Sequence, residues 1–375
     1  MKTDNNIYER YNRQLILKEF GEPAQQKLLQ AKVLVVGAGG LGCACLQYLA
    51  AAGVGSIGII DNDKVALHNL HRQVLYTVND IGLPKAERAA RSLQQLNPDI
   101  DIRAFNERLT VHNAIRLFRE YDIVIDGTDN FSSRYMINDA CVLTGKPLIY
   151  GAISKFEGQV AIFNCSMRDS DEHPVNYRDL FPQPPAAGEI DNCAEAGVLG
   201  VLPGIIGTMQ ANETIKLLTG IGTALVNRLI TFNALNNQLY ELQLTPQDET
   251  RNLIPVDVAA FEKTNYDWLC GVAGNNFEIN TNEFDKLRKQ DGVLLIDVRE
   301  YGEEPAVDEF AHLRIPLAKL GKEFPRTEKD TIILFCQTGK RSAIAAASLA
   351  TAFGETKKIF SLAGGILNWK QKQPA

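Results

Sequence analysis

The sequence predicts an α/β protein of two domains, the first with a mixed sheet and the second smaller. Three observations lead there. Apolar runs alternate with helical periodicity over residues 33–150, as parallel βαβ units require. After Gly151 the pattern becomes that of antiparallel strands around one helix. A second strand and helix series begins near Phe277, and 375 residues suffice for more than one core.

Taken in order, a strand at 33–36 runs into Gly37-Ala38-Gly39-Gly40-Leu41-Gly42 and a helix over 41–52. Further strands are expected at 56–60, 100–105, 123–126 and 147–150, alternating with helices at 84–96, 112–119 and 132–143. Strands at 159–164, 228–233 and 239–244 follow, around a helix at 204–218. The polar, Pro- and Gly-rich stretch at 166–197 is long for a loop, which marks it as functional or mobile. The expected domains are 1–262 and 277–375, joined by a linker at 263–276 where Asn and Gly gather. The second domain reads as strands at 293–296, 332–335 and 358–361 with helices at 342–352 and 365–369.

Apolar residues make up 45% of the chain and charged ones 22%, a composition that folds rather than one that stays disordered. A net charge of -6, from 39 basic and 45 acidic residues, argues against general nucleic-acid binding, which needs a basic surface. The longest apolar stretch, at 198–209, is broken by Gly and Pro and is too short to span a bilayer, so no membrane partner is expected. Asp4 and Glu9 precede any apolar core, so no secretory signal is read and the expected location is cytoplasmic. Seven Cys, an odd number, fit free thiols better than a disulfide framework.

Gly37, Gly39 and Gly42, with Gly40 between, let backbone amides at a helix N-terminus approach phosphate. Asp61 ends the next strand, where a carboxylate binds ribose hydroxyls. These features alone leave a nicotinamide-dependent oxidoreductase open. Hydride transfer, however, has no need of Asn69, Arg72 and Lys85, which suit a triphosphate. Asp129, in Asp126-Gly127-Thr128-Asp129-Asn130, suits Mg2+ at the α-phosphate.

The motifs RYNRQ (10–14), GAGGLG, DNDKV, NLHRQ, Pro84-Lys85 and DGTDN occur in the order that resembles the adenylyltransferase domain of the ThiF, MoeB and HesA family, bacterial relatives of ubiquitin-activating enzymes. The resemblance covers about residues 7–262. It implies binding of ATP and Mg2+ through the residues above, Asn130 included, with Arg72 and Asp129 catalytic. The substrate it implies is a small ubiquitin-like sulfur-carrier protein whose C-terminal Gly-Gly carboxylate is adenylylated. It also implies a homodimer, because the arginine matching Arg13 reaches the nucleotide of the partner subunit. Cys193, in Asp191-Asn192-Cys193-Ala194, matches a position that forms a thioester or disulfide-linked intermediate, with a small buried thiol as its other reading. Family members commonly hold a structural zinc on two CxxC pairs. Here those places read Asn176-Tyr177-Arg178-Asp179 and Asp267-Trp268-Leu269-Cys270, too few thiols for a closed shell, so no structural zinc is expected.

Cys336-Gln337-Thr338-Gly339-Lys340-Arg341-Ser342 follows an apolar strand and opens a helix. Loop amides, the helix N-terminus and the charges of Lys340 and Arg341 then favour a thiolate or an anionic persulfide. So polar a loop argues against a buried structural thiol. With Asp297-Val298-Arg299-Glu300 and Leu362-Ala363-Gly364-Gly365, this segment is similar to single-domain rhodaneses over about residues 277–375. The similarity implies that Cys336 carries sulfane sulfur from a persulfide donor such as a cysteine desulfurase, while Asp297 and Trp369 hold the fold. Joined, the two halves imply a carrier thiocarboxylate, as molybdenum cofactor or thiamine biosynthesis would use, and tethering raises the effective concentration of the donor. A rhodanese half that only docks partners is the alternative.

Overall fold

The computed structural model describes residues 5–165, 173–184, 197–270 and 277–372. Cys193 therefore lies outside the described residues, as does most of the long polar loop. The chain divides into two compact units, with the break between Thr264 and Asn265.

In the first unit an eight-stranded mixed sheet has the order β3-β2-β1-β4-β5-β6-β7-β8. Its parallel part comprises β1 (Lys32–Val36), β2 (Ser56–Ile60), β3 (Asp101–Phe105), β4 (Ile123–Asp126) and the start of β5 (Leu148–Ser154). Residues 33–36 of β1 and all of β4 are buried, which is why both read as continuous apolar runs instead of alternating ones. The sheet then turns antiparallel through β6 (Glu157–Phe163), β7 (Arg228–Asn233) and the edge strand β8 (Gln238–Gln243). The turn from β5 to β6 holds Lys155 at φ +52°.

Two N-terminal helices, α1 (Asn5–Leu15) and α2 (Gly21–Gln30), are additions to the sequence reading. α1 is amphipathic and mostly polar; Tyr11 is buried and its hydroxyl accepts a hydrogen bond from Asn97 at 2.8 Å. α3 (Gly40–Ala52) is apolar around most of its circumference because the sheet lies on one side and the helix Leu202–Thr219 on another. That crossing is tight: a Cβ at Gly207 would overlap the Leu41 carbonyl. α4 (Lys85–Leu96), α5 (Val111–Arg119) and α6 (Phe131–Thr144) complete the crossovers, as expected from the sequence.

The second unit is a five-stranded parallel sheet in the order β11-β10-β12-β13-β9, with β10 (Val293–Asp297), β12 (Thr331–Phe335) and β13 (Lys358–Leu362) at its centre. The two-residue strands β9 (Glu278–Ile279) and β11 (Leu313–Arg314) are too short to leave a periodic signal. Helices Lys340–Phe353 and Gly365–Gln371 follow β12 and β13. Trp369 is buried and donates from Nε1 to Asp285 at 3.0 Å, so it holds the fold. Within the stretch read as linker, Tyr266–Leu269 is a short helix belonging to this unit.

Candidate functional site

The strand order reverses between β1 and β4, and open α/β sheets bind ligands at such a switch point. Register explains why the predicted residues meet there. Val36 is opposite both Ile60 and Asp126, so Gly37, Asp61 and Gly127 come next in one row at the carboxyl ends of their strands. Gly37 has φ +92°, and a Cβ on it would lie 2.8 Å from the Gly127 carbonyl; only glycine fits twice over. The Ala38 amide donates to Asp61 at 2.7 Å, and Cys43 is the first residue of α3 to donate back, to the Gly39 carbonyl at 2.9 Å. The amides of Gly39, Gly40 and Leu41 thus have no partner within the helix and face the position of an anion.

Around this turn the structure brings together most of the predicted set. Arg72 lies over the helix start, its Cγ 3.6 Å from where a Cβ of Gly40 would be, and its guanidinium donates to the His68 carbonyl at 3.0 Å. Lys85 is buried and its Nζ is 2.8 Å from Asp63, while its backbone amide donates to the Asp63 carbonyl at 2.9 Å. Burial raises the Asp61 carboxyl above its ordinary range, and the Lys85 charge is the first of the groups that oppose this, ahead of the Ala38 and Asp63 amides. Asp129 is exposed at the end of β4, open to a ligand.

Three predicted residues sit differently. Asn69 is buried and its Oδ1 accepts the Ala66 amide at 3.1 Å, so it shapes the turn that carries Arg72. Asn130 caps α6, its Oδ1 accepting the Ser133 amide at 2.9 Å, so its side chain orders the helix after Asp129. Arg13 is exposed on α1, next to Gln14, which donates to the Ala52 carbonyl at 3.2 Å. Ala52 ends α3 whereas the glycine turn begins it, so about 18 Å of helix separates Arg13 from its own chain's site.

The sequence reading missed Gln73 and Asp126. The amide of Gln73 lies 3.8 Å from where a Cβ of Gly39 would be, and its buried Oε1 has no hydrogen-bond partner among the described residues. Its place one residue after Arg72 was the available signal. Buried Asp126 accepts from the Thr128 amide at 2.8 Å and hydroxyl at 2.6 Å, fixing the loop that presents Asp129.

Where the resemblance placed the first zinc pair, Asp179 accepts from the Asn176 amide at 2.8 Å and from the Thr250 hydroxyl. Arg178 pairs bidentately with buried Asp139 at 2.9 and 2.7 Å. Among the described residues no group of His, Cys, Asp and Glu is arranged to hold a metal ion.

In the second unit Cys336 follows the last residue of the central strand β12, ahead of the helix Lys340–Phe353, with Gly339 at φ +90° making the turn. The polarity of the loop misled the sequence reading on one point: Cys336 is fully buried. The chain folds back over it, Ile366 donating to the Cys336 carbonyl at 2.8 Å and Leu367 to that of Gln337 at 3.1 Å, while Thr338 is turned outward. Two buried hydroxyls reach the sulfur in series, Ser361 to Ser342 at 2.8 Å and Ser342 to Sγ at 3.6 Å. Arg341 is paired with Glu303 at 2.5 and 2.6 Å, so its charge is offset locally. Lys340 begins the helix.

The decisive comparison is with family models. Residues 11–253 match the ThiF family and residues 280–372 the rhodanese-like domain. The chain belongs to the ThiF family. Among curated relatives of this ThiF-family chain, the probable adenylyltransferase/sulfurtransferase MoeZ of Mycobacterium tuberculosis is 41% identical across 97% of this chain and 93% of its own. Adenylyltransferase and sulfurtransferase MOCS3 of Drosophila sechellia is 34% identical over 98% of this chain and 84% of its own. The sulfur carrier protein adenylyltransferase of Thermus thermophilus is 50% identical over 64% of this chain, 89% of its own. The fold of the ThiF part is shared with the crystal structure of E. coli MccB with ATP, at TM-score 0.55 and 22% identity over 66% of this chain and 73% of that one. The ThiF-family chain is thus an adenylyltransferase carrying a C-terminal sulfurtransferase domain.

Proposed function

We propose that this enzyme adenylylates the C-terminal glycine of a small ubiquitin-like sulfur carrier and then converts it to a thiocarboxylate with sulfur held on Cys336. The observation that carries the reading is one chain's combination of an anion-binding turn ringed by Arg72, Lys85 and Asp129 with a cysteine loop on a second helix N-terminus.

MgATP is a substrate here. Its phosphates lie against the amides of residues 39–41, its ribose against Asp61, its metal on Asp129, and its charge is balanced by Arg72 and Lys85. The carrier carboxylate attacks the α-phosphorus and pyrophosphate leaves. The outer sulfur of a Cys336 persulfide then attacks the acyl carbon and AMP leaves, giving an acyl disulfide, either directly or by way of Cys193. A first reductant thiol attacks the Cys336 sulfur and releases the thiocarboxylate, and a second resolves the resulting mixed disulfide, regenerating the cysteine and leaving the reductant as its disulfide. The separation of Arg13 from its own glycine turn supports a homodimer in which each site borrows the partner's arginine. Described helices are none of them long and apolar enough to cross a membrane, and the reading places the enzyme in the cytoplasm with a persulfide donor such as a cysteine desulfurase.

The test is the intact mass of a Gly-Gly-ended carrier after incubation with the protein, MgATP, a persulfide source and reductant. Oxygen replaced by sulfur is the expected result. The full burial of Cys336 favours a second reading, a rhodanese half that only docks partners. Pyrophosphate release with an unchanged carrier mass would select it.

A further inference from the structure

Beside the cysteine loop runs the segment 300–309, which holds Glu300, Glu303, Glu304, Asp308 and Glu309 and no basic residue. It is strapped in place from below by Arg299, itself buried and paired with Asp297, whose NH1 donates to the Pro305 carbonyl at 2.9 Å and the Glu303 carbonyl at 3.4 Å. Two residues of the cysteine loop tie it there: Gln337 donates to the Glu304 carbonyl at 3.1 Å, and Arg341 meets both oxygens of Glu303. Glu303 also accepts the Glu300 amide at 2.8 Å. Held this way, the Glu303 carboxyl is pulled down to about 2, chiefly by Arg341, and stays ionised throughout the physiological range.

We propose that Glu303 is a specificity-determining residue: by pairing with Arg341 it makes the Cys336 loop a poor acceptor of sulfur from small anions and leaves it to persulfides brought by a protein donor. The inference rests on Cys336 being the sulfur carrier. When the donor is thiosulfate, the cysteine thiolate attacks the sulfane sulfur, the S–S bond of thiosulfate breaks and its electron pair leaves with sulfite. The dianion must approach a thiolate, so it needs a free cation at the loop. A guanidinium closed bidentately on a carboxylate supplies no net charge, so of the loop's two cations only Lys340 is left to offset the carboxylates of 300–309 other than Glu309, which Lys370 pairs at 2.7 Å. A protein persulfide avoids that penalty, because docking surfaces elsewhere bring the sulfur in and a thiolate on the donor takes the leaving electron pair.

The experiment uses the full-length protein and Glu303→Gln, with thiosulfate as donor and cyanide as acceptor. The expected result is a gain of about tenfold in thiosulfate kcat/KM, mostly through KM, that shrinks at about 0.5 M salt. Alkylation of Cys336 separates charge from access. Anionic iodoacetate should react faster with the variant, while neutral iodoacetamide is unchanged. An unchanged thiosulfate kcat/KM, or equal acceleration of both reagents, overturns the proposal, the second result making the strap a simple cover. The wild-type protein gives a test independent of folding: thiosulfate KM falls or stays level as salt rises, and a clear rise overturns the idea because it reports an open cationic site. If wild-type Cys336 gains no sulfur by intact mass from any donor, including a cysteine desulfurase with cysteine, the reading of Cys336 itself fails and takes the proposal with it.

Discussion

Lys85→Met removes the cation that the proposed reading sets against ATP, while keeping most of its buried volume. Lys85 is 7% exposed and pairs with Asp63, which is 65% exposed, so the direct pair is half in water and contributes about 1 kcal/mol. The larger effect is on Asp61, whose ionised state is opposed by burial and supported first by Lys85. Loss of one neighbouring unit charge, taken at a generic separation of about 5 Å and an effective dielectric of roughly 30, costs about 2 kcal/mol. An equal loss against a phosphate of ATP weakens binding by about thirtyfold. The sign with pH follows from linkage. Asp61 already has a carboxyl raised above its unfolded value, so the folded state holds the proton more tightly and stability falls as pH rises through the folded pKa. Removing Lys85 raises that pKa further. The variant's loss of stability should therefore be greater at about pH 8 than at pH 5, and its ATP affinity should fail on acidification at a higher pH than in the wild type. Calorimetric titration of ATP and thermal melting across that range check both. A variant with ATP affinity within about threefold of wild type, or a stability deficit that does not shrink toward acid, would show that Lys85 is neither a phosphate cation nor the counterion of Asp61.

Asp129→Ala should abolish carrier-dependent pyrophosphate release with the melting temperature unchanged, because Asp129 is exposed; normal release would remove it from the metal site. Cys336→Ser should keep carrier adenylylation, measured by pyrophosphate exchange, and lose transfer of sulfur from the rhodanese half. Mixing Arg13→Ala with Asp129→Ala should restore up to about a quarter of wild-type activity, the share of intact sites expected from random pairing of two defective chains, and no recovery would argue against a shared site. Asp139→Asn leaves the buried Arg178 guanidinium without its bidentate partner and should cost about 3 kcal/mol, read as a drop of about 6–12 °C in melting temperature.

The parallel half of the ThiF part was legible because buried central strands and amphipathic crossovers leave strong periodic signals, and because Gly37, Asp61 and the loop after β4 end adjacent strands. Signals failed where contacts are remote in sequence or elements are short. Glu303 and Arg341 stand 38 residues apart, and neither neighbourhood announces the pair. β11 has two residues. Asn69 and Asn130 carry the right residue type in the right motif, yet the backbone amides beside them take their side-chain oxygens first. Cys336 was misjudged because loop polarity reports where Gln337 and Thr338 point and says little about a residue fixed to the end of the central strand.

The two sites use one backbone device with opposite side chains. In each, a central parallel strand ends, a glycine near φ +90° turns the chain, and a helix of at least thirteen residues begins: Gly37 before Gly40–Ala52, and Gly339 before Lys340–Phe353. The device favours an anion in both places through outward amides and the helix N-terminus. In the first site Gly37, Gly39, Gly40 and Gly42 thin out the turn, and on the proposed reading an external anion binds there among Arg72, Lys85 and Asp129. In the second, the helix start meets the chain's own Cys336 sulfur, covered by residues 365–367 and flanked by the Glu303–Arg341 pair. On the proposed reading, an open phosphate site in one unit and a covered sulfur in the other suit a reaction whose first substrate diffuses freely and whose second must be handed over, since a persulfide exposed to solvent would be lost to other thiols before the acyl-adenylate arrived.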